Sequence, residues 1–150
     1  MRRGLFIAAI VLTLAAGCGD DQPGTGELGS IGTSQDEAGL REAARAYLDA
    51  WSTGNTGIIC GLLESRTAIE FAAKVHAPDC PAAVHVLYDR MSDQVRASFR
   101  DVQITEVKLQ TSRSQGDVLV PSKVSVLGND TSTDWSYKSG RWQIRERPRE

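Results

Sequence analysis

Few side chains in this 150-residue sequence are of the kinds that do chemistry. His76, Asp79, Cys80 and His85 form the stretch richest in metal-ligating residue types. Zinc sites draw on those groups in regular pairs, such as two cysteines or two histidines a few positions apart. The interval between the two histidines matches no such pattern, so no metal and no cofactor is expected. No serine sits in an activated context, and no glycine-rich phosphate cradle is visible. The aromatic residues Tyr47, Trp51, Trp135, Tyr137 and Trp142 are more informative, because concave binding sites are lined mostly by apolar and aromatic side chains. The same residues build cores, and some can do both.

Helices occupy the first half of the folded part. Ser34 followed by Glu37 predicts a capping box. From there Leu40, Ala44, Tyr47, Leu48 and Trp51 recur at helical spacing, and Gly54 is the natural stop. Ile58, Ile59, Leu62 and Leu63 predict a second helix that carries Cys60, capped by Asn55 or Thr56. A break near Ser65 and a second capping box, Thr67 with Glu70, lead into Ile69, Phe71, Ala72 and Val75. Pro78 ends that run. Asp79 then caps a further helix, with Pro81 tolerated in its first turn and with Val84, Leu87, Tyr88, Met91 and Val95 along its stripe. Ser92 is a place for that helix to restart. His85 lies beside the stripe rather than on it, which places it on the surface.

The period changes to two after Asp101. Val102 and Ile104 share one parity and Val107 and Leu109 the other, so a bulge is expected near Thr105 and Glu106. A turn over Ser112 to Asp117 leads to Val118, Val120, Val124 and Val126, with Pro121 suggesting an edge or a bulge. A turn at Gly128-Asn129-Asp130 precedes Thr133, Trp135 and Tyr137. Ser139-Gly140 is a hairpin signal before Trp142 and Ile144. Helices first and four consecutive strands after them predict an α+β domain, with the helices on one face of an antiparallel meander.

Ahead of this body lie Arg2, Arg3 and an apolar run from Leu5 to Ala16, which is too short for the ~20 residues of a spanning helix and reads as an export signal. Leu14-Ala15-Ala16-Gly17-Cys18 resembles the lipobox of bacterial lipoproteins, in which the cysteine thiol receives diacylglycerol and becomes the first residue. The domain plan is therefore a signal peptide over 1–17, a tether over 18–33 and a folded domain over 34–147. Between Gly19 and Thr33 five glycines, one proline and two isolated aliphatics predict a flexible linker. Ordinary signal cleavage, releasing a soluble protein, is the competing reading. Without residues 1–17, 15 basic residues face 19 acidic ones, scattered rather than striped, which argues against a nucleic-acid partner. With Cys18 taken by lipid, Cys60 and Cys80 remain as an even pair, and a bridge between them would stabilise the fold by about 3 kcal/mol. Sequence leaves that pairing open, since it depends on the distance between their alpha-carbons.

Four segments in order carry a wider resemblance. They are Ala44-Arg45-Ala46-Tyr47-Leu48-Asp49-Ala50-Trp51, Ile59-Cys60-Gly61-Leu62-Leu63, Asp79-Cys80-Pro81-Ala82-Ala83 and Lys138-Ser139-Gly140-Arg141-Trp142-Gln143-Ile144. Together they resemble the nuclear-transport-factor-like superfamily, also called SnoaL-like or cystatin-like, in its exported lipoprotein branch from high-GC Gram-positive bacteria. The resemblance implies a curved sheet wrapped round the first helix, a cone with a pocket at its wide end, and a Cys60–Cys80 disulfide. A strand pair that many members insert between the second and third helices is not evident. Enzymes of the superfamily place an acid or base, with a tyrosine, inside the cone. The residues here that could take those places are Tyr47, Trp51, His85, Tyr88, Asp89, Asp134 and Tyr137. Strand alternation sets Asp134 on the face opposite Trp135, outside the pocket. The expected pocket is Tyr47, Trp51, Tyr88, Trp135 and Tyr137, with no catalytic residue assigned. The leading expectation is a non-catalytic, membrane-anchored envelope lipoprotein that binds a small apolar ligand or an envelope protein. An isomerase- or dehydratase-like enzyme acting on an exported metabolite is the alternative, and a sheet-mediated homodimer is a third.

Overall fold

A carboxylate starts the helix on which everything else packs. In the computed structural model, which describes residues 28–120 and 132–145, α1 runs over Glu37–Thr53. Asp36, with extended backbone, caps it: its Oδ1 accepts the Gly39 N–H at 2.8 Å, and the Ser34 hydroxyl donates to Oδ2 at 2.8 Å. The cap is thus Asp36 rather than the expected Ser34, because an ionised oxygen is the stronger acceptor. Those same bonds hold the Asp36 carboxyl below its usual range, with the Gly39 amide contributing most. Gly54 closes the helix in the left-handed region at φ 71°, and its missing Cβ leaves room for the Tyr88 ring. The predicted stripe is buried along its whole length, with Leu40 and Trp51 fully enclosed.

Helix α2, Thr56–Gly61, is capped by Asn55, whose side chain accepts the Ile58 N–H at 3.0 Å. Leu62 to Glu64 then run beside the last strand instead of continuing the helix. Helix α3, Ser65–Val75, begins at Glu64 with no side-chain cap. Thr67 lies inside it, so the expected Thr67–Glu70 box does not form. The Glu64 N–H donates to Ile144 O at 2.9 Å, and that tertiary bond sets the start of α3. Helix α4, Cys80–Arg90, is capped by Asp79 and carries Pro81 in its first turn, and α5, Asp93–Asp101, is capped by Ser92. The Cys60–Cys80 disulfide ties α2 to the start of α4 across 5.9 Å between alpha-carbons.

The sheet is an antiparallel meander in the order β1-β2-β3-β4, with β1 Glu106–Leu109, β2 Gln115–Leu119, β3 Ser132–Lys138 and β4 Arg141–Arg145. Among the described residues the fold is therefore α+β, five helices packed on an open four-stranded sheet, as the sequence predicts. Val102 and Ile104 precede β1 rather than belonging to it. Thr105 donates its N–H to Leu119 O at 3.0 Å while Glu106 is the residue set opposite Leu119, so two residues meet one where the parity changes. The first hairpin turn is tighter than expected, and Gln115 to Asp117 are already strand. Gly116 permits that: a Cβ there would lie 2.5 Å from a Leu40 methyl and 2.9 Å from Lys108 O. The expected strand through Val124 and Val126, Pro121 and the turn at 128–130 lie outside the described residues, as do the signal over 1–17, Cys18 and residues 19–27.

Leu28 to Thr33, expected as the end of the linker, belong to the folded body. Leu28 is only 4% exposed and packs on Gly61, where a Cβ would stand 2.5 Å from its methyl. The Trp142 N–H donates to Gly32 O at 2.9 Å, Arg141 to Gly29 O at 3.1 Å, and the Gly32 N–H to Glu42 at 3.1 Å. Two aliphatics could not order this stretch alone. The unpaired edge of β4 supplies the missing bonds, since sheet-edge amides and carbonyls need partners. Farther along that edge, Ile144 bonds to Leu62 and Glu64.

Candidate functional site

Tyr47 and Trp51 stand one turn apart on the buried face of α1. Trp135 reaches them from β3, Phe71 from α3 and Phe99 from α5. Tyr47 meets Trp51 and Trp135 edge-on, each at 6.3 Å between ring centres. Trp51 meets Phe71 edge-on at 6.3 Å and stacks on Phe99 at 6.1 Å with the planes 24° apart. Such arrangements satisfy the ring quadrupoles and add about 0.5–1.5 kcal/mol per pair beyond burial.

The polar atoms of these rings fall into two groups. The Trp135 indole donates to Thr133 Oγ1 at 2.9 Å, and the Trp142 indole to Ser34 O at 2.9 Å. Tyr47 Oη and Trp51 Nε1 are buried and, among the described residues, have no hydrogen-bond partner in good geometry. Burial pushes the Tyr47 phenol up to about 12 from 10.0, against a smaller lowering by the Trp51 indole N–H, which points towards the phenol oxygen without reaching good hydrogen-bond geometry. An unsatisfied buried donor or acceptor costs about 1–3 kcal/mol. Here two lie side by side on neighbouring side chains. The indole can only donate, and the phenol can donate or accept. Both stay neutral at physiological pH, so the pair is suited to an uncharged acceptor such as a carbonyl or ether oxygen.

Of the five expected pocket residues, the structure brings Tyr47, Trp51 and Trp135 together. Tyr88, half-buried on α4, lies under the Arg96 guanidinium at 4.1 Å and directs its hydroxyl towards Ser52 O at 3.5 Å. Tyr137 meets Trp142 at 5.5 Å, and its hydroxyl donates to Thr33 O at 2.6 Å, tying down the N-terminal segment. Phe71 and Phe99 complete the ring cluster without having been singled out as site residues. Phe99 lies four positions after Val95, a helical interval that could have drawn it in, yet Phe99 is 1% exposed and Val95 43%.

His76, Asp79, His85 and Asp89 are exposed. Asp134 occupies the sheet face opposite Trp135, as alternation requires, and is buried there beside Ser136, whose hydroxyl bonds Glu64. Among the described residues no three His, Cys, Asp or Glu side chains are gathered as metal ligands, and Cys80 is committed to its disulfide. No helix among them is long and apolar enough to cross a membrane. Comparison with protein-family models, with curated proteins and with solved structures found no match to this chain.

Proposed function

We propose that this chain is a non-catalytic lipoprotein of the cell envelope, anchored outside the cytoplasm by lipid on Cys18, whose cone-like domain binds a small, largely apolar ligand. In this reading it belongs to the nuclear-transport-factor-like superfamily that its sequence resembles. The observation that carries the binding function is the adjacent, unpartnered Tyr47 Oη and Trp51 Nε1 inside a wall of aromatic rings. A ligand with one hydrogen-bond acceptor and an otherwise apolar surface answers both the vacant donors and the rings. A binder is favoured over an isomerase or dehydratase because, among the described residues, no acid or base is hydrogen-bonded to Tyr47, and the raised phenol moves no proton near neutrality.

Two measurements test the two halves separately. Membranes and soluble fractions of cells making the full chain are compared with those of Cys18→Ala: the substitution should release the protein, and a variant that stays membrane-bound removes the anchor reading. The purified full chain is extracted with organic solvent and the extract analysed by mass spectrometry. A bound compound should be recovered, and Tyr47→Phe should bind it roughly threefold to tenfold more weakly, the worth of one neutral hydrogen bond. An extract with no compound, or a turnover that collapses on Tyr47→Phe, excludes the binder.

A further inference from the structure

The two edges of the sheet differ. β4 is closed by the bonds from Trp142 to Gly32 and from Ile144 to Leu62 and Glu64. Among the described residues nothing pairs with the outer side of β1. The Gln110 N–H donates to Gln115 O, and bonded pairs recur every second residue in an antiparallel ladder. Glu106 and Lys108 therefore turn their amides and carbonyls towards β2, whereas Val107 and Leu109 turn theirs towards the open edge. Side chains alternate too: Val107 is buried in the core, and Glu106 and Lys108 share the outer face, joined at 2.9 Å.

We propose that β1 is a self-pairing edge, on which a second copy of this chain lays its own β1 antiparallel about a twofold axis at Val107. That axis makes Val107 its own partner, with both outward N–H and C=O groups bonded. It also sets Glu106 of each copy opposite Lys108 of the other, two reciprocal charge pairs on one face. Isologous contact requires such self-complementarity. Edge strands are kept from associating by shortness, bulges, proline or charges, lysine above all. β1 is itself short and follows the bulge at Thr105 and Glu106, which keeps any pairing weak. Glu-Val-Lys-Leu lacks a proline and presents opposite charges in the order that attracts its own copy. Four residues make a small contact beside the ~1,600 Å² of a standard interface, so the dimer is weak and reversible.

The test is sedimentation of the purified, detergent-solubilised full chain over a concentration series, with hydrogen exchange followed at the Val107 and Leu109 amides. The wild type should associate as concentration rises, and those two amides should slow with it. Glu106→Lys alone and Lys108→Glu alone should each weaken self-association roughly tenfold or more, because attractive cross-strand pairs become repulsive. An equimolar mixture of the two variants, and the double variant Glu106→Lys/Lys108→Glu, should associate as the wild type does. Both side chains lie on the outer face, so circular dichroism should be unchanged. A wild type that is monomeric up to about 1 mM, or association indifferent to the reversals, overturns the proposal.

Discussion

Tyr47→Phe removes one oxygen from the aromatic interior and leaves the ring contacts with Trp51 and Trp135 in place. Most core substitutions destabilise, by about 0.5–3 kcal/mol. This one should stabilise. Tyr47 is 7% exposed and its hydroxyl has no partner among the described residues, so folding strips that group of water without return. With a penalty of about 1–3 kcal/mol for such a group, partly recovered by relaxation, the expected gain is about 1 kcal/mol. For a domain of this size that raises the melting temperature by about 3–5 °C. The assay is urea unfolding at pH 7 followed by tryptophan fluorescence, on protein stripped of bound compounds. The alkaline limb gives a second measurement. Burial holds the folded phenol at about 12, so the unfolded chain, near 10.0, ionises first. Stability from this group is therefore complete below pH 10 and is lost as the pH rises towards 12. At ~1.4 kcal/mol per pH unit, the wild type should lose roughly 2–3 kcal/mol over that window that Tyr47→Phe does not lose. A stripped variant less stable than the wild type by about 1 kcal/mol or more at pH 7 would mean that the hydroxyl is bonded in the folded protein, and the reasoning from an orphaned pair would fail.

Two further outcomes test the frame around the site. Leu28→Ala should cost about 2 kcal/mol or more by urea unfolding, since it empties a buried position against Gly61; a change within experimental error would return Leu28 to the linker. Replacing Cys60 and Cys80 together by alanine should lower stability by about 3 kcal/mol, and reducing agent should reproduce that loss in the wild type while leaving the variant unmoved.

Much of the fold was legible because its signals are local. The stripe of α1, the caps at Asn55, Asp79 and Ser92, the stop at Gly54 and the four-strand order each depend on residues close in sequence. Two helix starts differ from expectation, one because of a distant bond and one because of a stronger local acceptor. The Thr67–Glu70 box competed with a backbone bond from Glu64 to Ile144, and the bond in the sheet set the helix start. Ser34 and Glu37 formed a plausible cap until the Asp36 carboxylate, two residues after Ser34, took the Gly39 amide. The cluster around Trp51 was half visible. Tyr47 and Trp51 share a helical face, but Phe71 and Phe99 join them only because three separate helices converge.

The sequence by itself determined the succession of helices and strands, through periodicities of 3.6 and 2 and through residues that stop or cap a helix. It also determined that Cys60 and Cys80 were available to each other once Cys18 was set aside. Only the tertiary structure decided that Leu28 to Thr33 belong to the body, because Gly29, Gly32 and Thr33 find partners on β3 and β4, more than a hundred residues away. Only it decided which indoles and phenols find partners. Trp135 and Trp142 are satisfied by groups that happen to face them, and Tyr47 and Trp51 find none among the described residues. Composition cannot record that difference, since a hydrogen bond depends on distance and angle between groups that the chain brings together only on folding.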